Sequence, residues 1–343
     1  MKITVIGGGN TGHAIGAYLS SKGVECTIYT RSAEKAEILN REGITAEGDL
    51  TGTFPVRAVA SEKEALDGAA YVIVMTTANA HRAVAEQFRP YFAPGQKILI
   101  FNSNWGALEF KQVLGNDIAE KHLVVAETSA QLFISKSSAP GQVHVKIKAQ
   151  TAVAATDPAE TAPLLAELKE LFPQFTAASS IIETTMSTTN PVIHVPVMLL
   201  NAARAENAQP FLFYADGASH AAVDLVVHID QERIAVARAL GCDIPDILTG
   251  INSFWPTKFD NLYDALTQNA TYQHAVGPQT LHHRYLTEDV PFGIDPIRQI
   301  GDILGVDTPY TDALMGFLRC VFSEDIVGTR TSFCREDFAD YIQ

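Results

Sequence analysis

The sequence predicts an α/β protein in two parts: an N-terminal Rossmann-type parallel-sheet domain over residues 1–180, then an all-α C-terminal domain over residues 181–343. Three observations predict it. Short apolar runs alternate with amphipathic stretches of about a dozen residues in the first half, the pattern of βαβ units on a parallel sheet. A G-x-G-x-x-G turn joins the first run to the first amphipathic stretch. Beyond about residue 182, strand-like runs almost vanish and helical periodicity takes over.

Taken in order, residues 3–6 (Ile-Thr-Val-Ile) predict a strand and 12–22 a helix; 25–29 and 33–41 repeat the pair. Residues 54–60 are rich in β-formers. Residues 71–75 (Tyr-Val-Ile-Val-Met) form a continuous apolar run, as expected of a strand buried on both faces. A helix over 80–88 and strands over 97–101, 123–126, 143–147 and 152–155 follow, and the spacing of Leu164, Leu165, Leu168, Leu171 and Phe172 predicts a closing helix. In the second half, helices are expected over 192–205, 218–240, 261–267, 296–304 and 311–321. Asn190-Pro191, Gly241 with Pro245, Gly277-Pro278 and Asp307-Thr308-Pro309 mark the turns.

A length of 343 residues and 47% hydrophobic composition suit two packed domains. The net charge of −14, from 25 Lys+Arg against 39 Asp+Glu, argues against nucleic-acid or anionic-membrane binding, which needs concentrated positive charge. The four cysteines (Cys26, Cys242, Cys320, Cys334) form no C-x-x-C pair, so reduced thiols are expected and a metal site is not. The longest apolar stretch, residues 191–203, is interrupted by His194 and Pro196, so no membrane span is expected. Without a secretory pattern at the N-terminus, the expected location is cytoplasmic.

The Gly-rich turn is Gly7-Gly8-Gly9-Asn10-Thr11-Gly12. It follows a strand and opens a helix, the context a dinucleotide fingerprint requires. Gly7 permits the tight turn, Gly9 lets the backbone approach a pyrophosphate, and Gly12 lets the helix pack on the strand. With Asn10 and Thr11 at the helix N-terminus, the turn would receive the pyrophosphate. The second strand ends at Tyr29-Thr30-Arg31-Ser32 with no carboxylate for a ribose 2′-hydroxyl. Arg31, Ser32 and Lys35 instead suit a 2′-phosphate, so NADP is expected over NAD, with NAD still usable. Thr76 and Thr77, after the strand ending at Met75, are candidates for the nicotinamide–ribose side or for helix capping.

Two segments of the second half carry titratable residues: Ser187-Thr188-Thr189-Asn190-Pro191-Val192-Ile193-His194, and His283-Arg284-Tyr285-Leu286-Thr287-Glu288-Asp289-Val290. From composition alone, His194 is either a satisfied core histidine or an acid–base group suited to neutral pH. These segments, with Ile229-Asp230-Gln231-Glu232-Arg233 and Ala239-Leu240-Gly241, resemble the opine dehydrogenase family, which includes the octopine and nopaline synthases. With the Gly-rich turn, the resemblance runs along nearly the whole chain.

That resemblance implies a helical substrate domain, an active site in the cleft between the two domains, and NAD(P)H-dependent reductive condensation of an amino acid with a 2-oxo acid such as pyruvate or 2-oxoglutarate. It implies a catalytic histidine at His194, its partner carboxylate at Asp289, and an oxo-acid-binding arginine at Arg284. Glu127, in Glu127-Thr128, resembles a carboxylate that faces the amino-acid substrate. The following Ser129-Ala130-Gln131 departs from the Leu-Pro-Trp of one common family form. Asn190 and Trp255 are further candidates for the substrate pocket. Small-molecule substrates are the expected partners, with a homodimer through the helical domain as a further possibility. The competing readings are a 2-oxo-acid reductase of the 2-hydroxy-acid, glycerol-phosphate or ketopantoate type, which would use a lysine where none lies near His194, and an NADP-sensing binding protein, which would need no His194, Asp289 and Arg284 set.

Overall fold

The structure, a computed structural model, describes residues 1–254 and 257–342. It divides into two compact units, Met1–Thr185 and Met186–Gln343. Twelve strands lie in the first: β1 (Lys2–Ile6), β2 (Glu25–Tyr29), β3 (Ile44–Gly48), β4 (Gly52–Phe54), β5 (Arg57–Val59), β6 (Tyr71–Val74), β7 (Lys97–Ile100), β8 (Val124–Thr128), β9 (Phe133–Ala139), β10 (Gln142–Ile147), β11 (Thr151–Ala155) and β12 (Phe175–Ala177).

Eight of them form one sheet in the order β12-β11-β8-β7-β6-β1-β2-β5. It is parallel apart from the antiparallel β8–β11 pair. Ile3, Val5, Ile28, Val72, Ile73 and Leu99 are fully or almost fully buried, as the continuous apolar runs require. The chain goes from β1 to β2 on one side and returns to place β6 on the other. The carboxyl ends of β1 and β6 therefore flank the switch point at which open α/β sheets bind ligands.

A second sheet, β4-β3-β10-β9, goes beyond the sequence reading. The β-rich stretch 54–60 splits between the two sheets, and residues 143–147 belong to the second. The first helix, α1 (Asn10–Ser21), is fastened to this sheet by a buried histidine. His13 Nε2 accepts the Gly141 N–H at 3.3 Å and its Nδ1 lies 3.4 Å from Ser137 Oγ.

Among the described residues, the second unit holds helices and no strand beyond the isolated Leu212–Val276 bridge. The longest helix is His220–Ala239. The stretch 192–205 is two helices, Asn190–Leu200 and Ala202–Glu206, broken at Asn201. Asn201 Nδ2 donates to Val197 O at 2.8 Å and Gly217 O at 3.0 Å, which turns the chain there. A π-helical turn, Val290–Ile294, leads into Asp295–Leu304. No described helix is long and apolar enough to cross a membrane.

Candidate active site

The glycine turn in the first unit has the shape of a phosphate cradle. Gly7 has φ +122°, and a Cβ there would lie 2.9 Å from Met75 O, so only glycine lets β1 and β6 end side by side. A Cβ on Gly12 would lie 1.7 Å from Gly7 O. A Cβ on Gly9 would meet nothing within 4 Å, which leaves open space above the turn. Gly9 is the N-cap of α1, and no side chain caps that helix, so its first N–H groups have no side-chain acceptor. Asn10 is exposed and Thr11 half-buried at this end. Thr76 Oγ1 is buried without a hydrogen-bond partner at the end of β6, and Thr77 takes an N-cap position without a side-chain bond. An orphaned hydroxyl beside an open cradle fits a bound dinucleotide.

Arg31, Ser32 and Lys35 lie where β2 passes into the helix α2 (Ala33–Glu42). Ser32 caps α2 by accepting the Lys35 N–H at 3.1 Å. Its hydroxyl proton is still available to an anion. Lys35 Nζ reaches back to Gly8 O at 3.2 Å, so its charge lies on the glycine turn. Arg31 is exposed.

In the second unit, His194 and Asp289 come together from segments 95 residues apart: Nδ1 lies 2.7 Å from Asp289 Oδ2, with both side chains buried. A carboxylate accepts only, so Nδ1 carries a proton and the neutral ring presents a lone pair at Nε2. That atom lies 3.0 Å from the hydroxyl of Tyr214. The Tyr285 ring stacks on the imidazole at 3.9 Å, and Phe213 meets it edge-on at 5.7 Å. Composition gave no cue to Tyr214: it sits in Phe211-Leu212-Phe213-Tyr214, an aromatic run with neither helical nor strand period. Tyr285 stands inside a quoted motif, but its contact with His194 appears only in three dimensions.

The other candidates fare differently. Arg284 opens the short helix Arg284–Thr287, with its side chain more than half exposed and Nε 3.1 Å from Glu288 Oε2. Asn190 is exposed at the start of the helix that carries His194. Trp255 lies outside the described residues. Glu127 requires a correction. It is fully buried, its Oε1 accepting from the Thr184 and Thr185 hydroxyls at 2.6 Å each and its Oε2 from the Ala107 N–H at 2.9 Å. Burial raises its pKa against those three donors. A carboxylate so engaged fastens the end of β8 to its own unit and is not presented to an amino acid.

The Asp230–Arg233 segment is scaffolding. Arg233 is almost fully buried, gripping Asp230 Oδ1 through Nε at 2.7 Å and donating to Met186 O and Pro245 O. Glu232 accepts the N–H groups of Tyr310 and Thr311 at 2.7 and 2.8 Å, and so caps the helix Pro309–Val321, whose own N-cap Thr308 makes no side-chain bond. Among the described residues there is no metal-ligating cluster.

Comparison with known proteins separates the readings. The family described as NAD/NADP octopine/nopaline dehydrogenase, alpha-helical domain, matches residues 177–319. Ketopantoate reductase PanE/ApbA matches residues 3–158 only. The reductase model thus falls within the first unit, and the octopine/nopaline dehydrogenase model lies almost wholly in the second. An opine dehydrogenase of Arthrobacter sp. (strain 1C) is 32% identical over 94% of this chain and 90% of its own length. Among solved structures, an octopine dehydrogenase in complex with NADH and agmatine superposes with a TM-score of 0.80 at 22% identity, over 100% of this chain and 96% of that one. A yersinopine dehydrogenase with NADP+ bound gives 0.72 at 14%, over 98% and 94%. Identity of 32% sustained across nearly the whole of both chains places this protein in the opine dehydrogenase family, as an NAD(P)-dependent oxidoreductase acting on the CH–NH group of its donors.

Proposed function

We propose that the enzyme joins an L-amino acid to a 2-oxo acid of the pyruvate type, with NADPH as the preferred reductant. In this reading His194 and Asp289 form the acid–base pair, and Arg284 binds the oxo-acid carboxylate. The observation that carries it is the buried His194–Asp289 pair at 2.7 Å, since structural cores rarely spend a buried carboxylate on a histidine that has a hydroxyl on its other nitrogen.

The chemistry follows from these groups. The amine attacks the keto carbon, and His194 Nε2 takes the proton that the nitrogen sheds. The imidazolium hands that proton to the keto oxygen to make the carbinolamine hydroxyl. A second proton, taken up from solution and delivered the same way, lets the hydroxyl leave as water and creates a protonated imine. Asp289 keeps the ring in one tautomer and stabilises its charged form. The nicotinamide, when bound, supplies the hydride that reduces the imine carbon. Arg284 is suited to a carboxylate by its forked donors, and its exposure leaves it free to turn from Glu288 towards an incoming anion.

NADPH preference is supported by Arg31 and by the available Ser32 hydroxyl at the end of β2, with Lys35 directed to the glycine turn. A related octopine dehydrogenase structure carries NADH and pyruvate, which supports pyruvate as the simplest oxo acid to try. The test is NADPH oxidation with pyruvate, with and without a pool of amino acids. Oxidation that depends on the amine is expected. Equal oxidation without it would make the enzyme a 2-oxo-acid reductase.

A further inference from the structure

The two partners of His194 differ in a way that bears on the proton cycle. Through that cycle Nδ1 remains an N–H donor, and Asp289, an acceptor only, suits it throughout. Nε2 changes role: it accepts in the neutral ring and donates in the imidazolium. A carboxylate or an amide N–H there would suit one state and oppose the other. A hydroxyl both donates and accepts, and Tyr214 places one 3.0 Å from Nε2. We infer that Tyr214 is a positioning residue for the reaction: its hydroxyl donates to Nε2 of the neutral ring, accepts from Nε2–H of the imidazolium, and yields that nitrogen to the substrate only during each transfer, so His194 is held in one orientation before and after both.

The hydroxyl is held as this role requires. Phe213 N–H donates to Ala275 O at 2.7 Å, and the Leu212–Val276 bridge pins the same segment. The Tyr214 ring stacks on Tyr272 at 4.7 Å. Asn201, at the end of the helix that carries His194, bonds Gly217 O and ties that helix to the Tyr214 turn. Burial and the nearby Tyr285, Tyr272 and Asp289 push the phenol pKa upward, so the hydroxyl keeps its proton at working pH. The remaining titratable neighbours are His283 and Arg284, on the segment that leads to Tyr285.

The inference rests on His194 as the acid–base group, and the two are separable. Tyr214→Phe keeps the ring and removes the hydroxyl. The expected result is a fall in kcat of roughly tenfold or more, the value of a hydrogen bond to a charged group, with KM for both substrates within about twofold and NADPH binding unchanged. Should the phenylalanine variant not fold, 3-fluorotyrosine at 214 keeps the packing and makes the hydroxyl a poorer acceptor, so kcat again falls while KM for both substrates holds. Unchanged kcat in whichever of the two variants folds, or equal changes in kcat and KM, overturns the inference. If His194→Ala is itself fully active, the acid–base assignment has failed instead.

Discussion

His194 Nδ1 and Asp289 Oδ2 meet at 2.7 Å inside the helical unit, one from the helix Asn190–Leu200 and the other from the turn before the π-helical Val290–Ile294. Both groups are buried, so the pair is shielded from competing water and the carboxylate has few other donors. Its removal is expected to cost chemistry and not nucleotide affinity. His194→Ala and Asp289→Asn should each lower kcat by about 10²- to 10⁴-fold, the range for a positioned acid–base group. Fluorescence titration with NADPH should give affinities within a few-fold of wild type. The double variant should be little worse than either single one, because the two residues act as a unit. Loss of NADPH binding in either variant would show that the pair supports the fold and not the reaction.

Arg284 offers a second test. Its guanidinium is exposed and pairs on one side with the buried carboxylate of Glu288, so Arg284→Leu also takes a partner from that carboxylate, and a thermal melt accompanies the kinetics. Arg284→Leu should raise KM for the oxo acid by roughly ten- to a hundredfold, the worth of a charge-assisted contact of about 1.5–3 kcal/mol, while KM for the amino acid stays nearly constant. Steady-state kinetics with each substrate varied in turn decides it. Equal rises for both substrates would mean that Arg284 does not distinguish the oxo acid.

The parts of this molecule legible from sequence are those with a local signal. Residues 71–75 and 97–101 are continuous apolar runs because a parallel sheet buries both faces, and the glycine turn announces itself by spacing. The second sheet escapes because β9 alternates buried and exposed residues over a polar stretch, and β3 pairs with β10 across almost a hundred residues. His194 and Asp289 are recoverable only through family resemblance, since nothing local links residues 95 apart. Tyr214 has no local signal either. Glu127 misleads for a physical reason: a carboxylate at a strand end is read as facing a ligand, whereas the Thr184 and Thr185 hydroxyls that engage it lie in a distant segment.

The cofactor preference is tested at Arg31. If its guanidinium binds a 2′-phosphate, Arg31→Ala should lower the ratio of kcat/KM for NADPH over NADH by about tenfold or more, chiefly through the NADPH value. Ser32→Ala should lower the ratio less, because Ser32 also caps α2, and it should cost about 1 kcal/mol of stability besides. An unchanged ratio in Arg31→Ala would make that residue an ordinary solvated side chain.

Arg233 and Asp230 make a stability prediction. The guanidinium is almost fully buried and ties the long helix to Met186 and to the turn at Pro245. Arg233→Leu leaves Asp230 buried with only the Ile247 N–H as a partner, at 2.8 Å. Removing one member of such a pair is expected to cost about 3–5 kcal/mol, read from the midpoint of chemical denaturation. The double variant Asp230→Leu/Arg233→Leu should recover part of that loss, because no lone charge then remains in the core.

The last prediction concerns Glu109, a buried carboxylate in the helix Gly106–Leu114 that no part of the proposed reaction uses. Its Oε2 has no hydrogen-bond partner, and Arg82 approaches Oε1 only to 3.8 Å. Desolvation outweighs that distant charge and pushes the carboxyl up to about 7, against 4.5 in an unfolded chain. Below pH 4.5 the group is protonated in both states and exacts nothing. Between 4.5 and 7 the unfolded chain sheds its proton first, so the folded state binds more protons and stability falls as pH rises. Above 7 the full penalty applies, at most about 3 kcal/mol at 1.36 kcal/mol per pKa unit. Glu109→Gln keeps the shape and removes the charge. Its unfolding free energy should match wild type near pH 4.5 and exceed it increasingly up to pH 7, with a constant margin beyond. Urea denaturation at pH 5, 6, 7 and 8 measures that margin, and a margin independent of pH would show that Glu109 ionises in the folded protein no later than in the unfolded one.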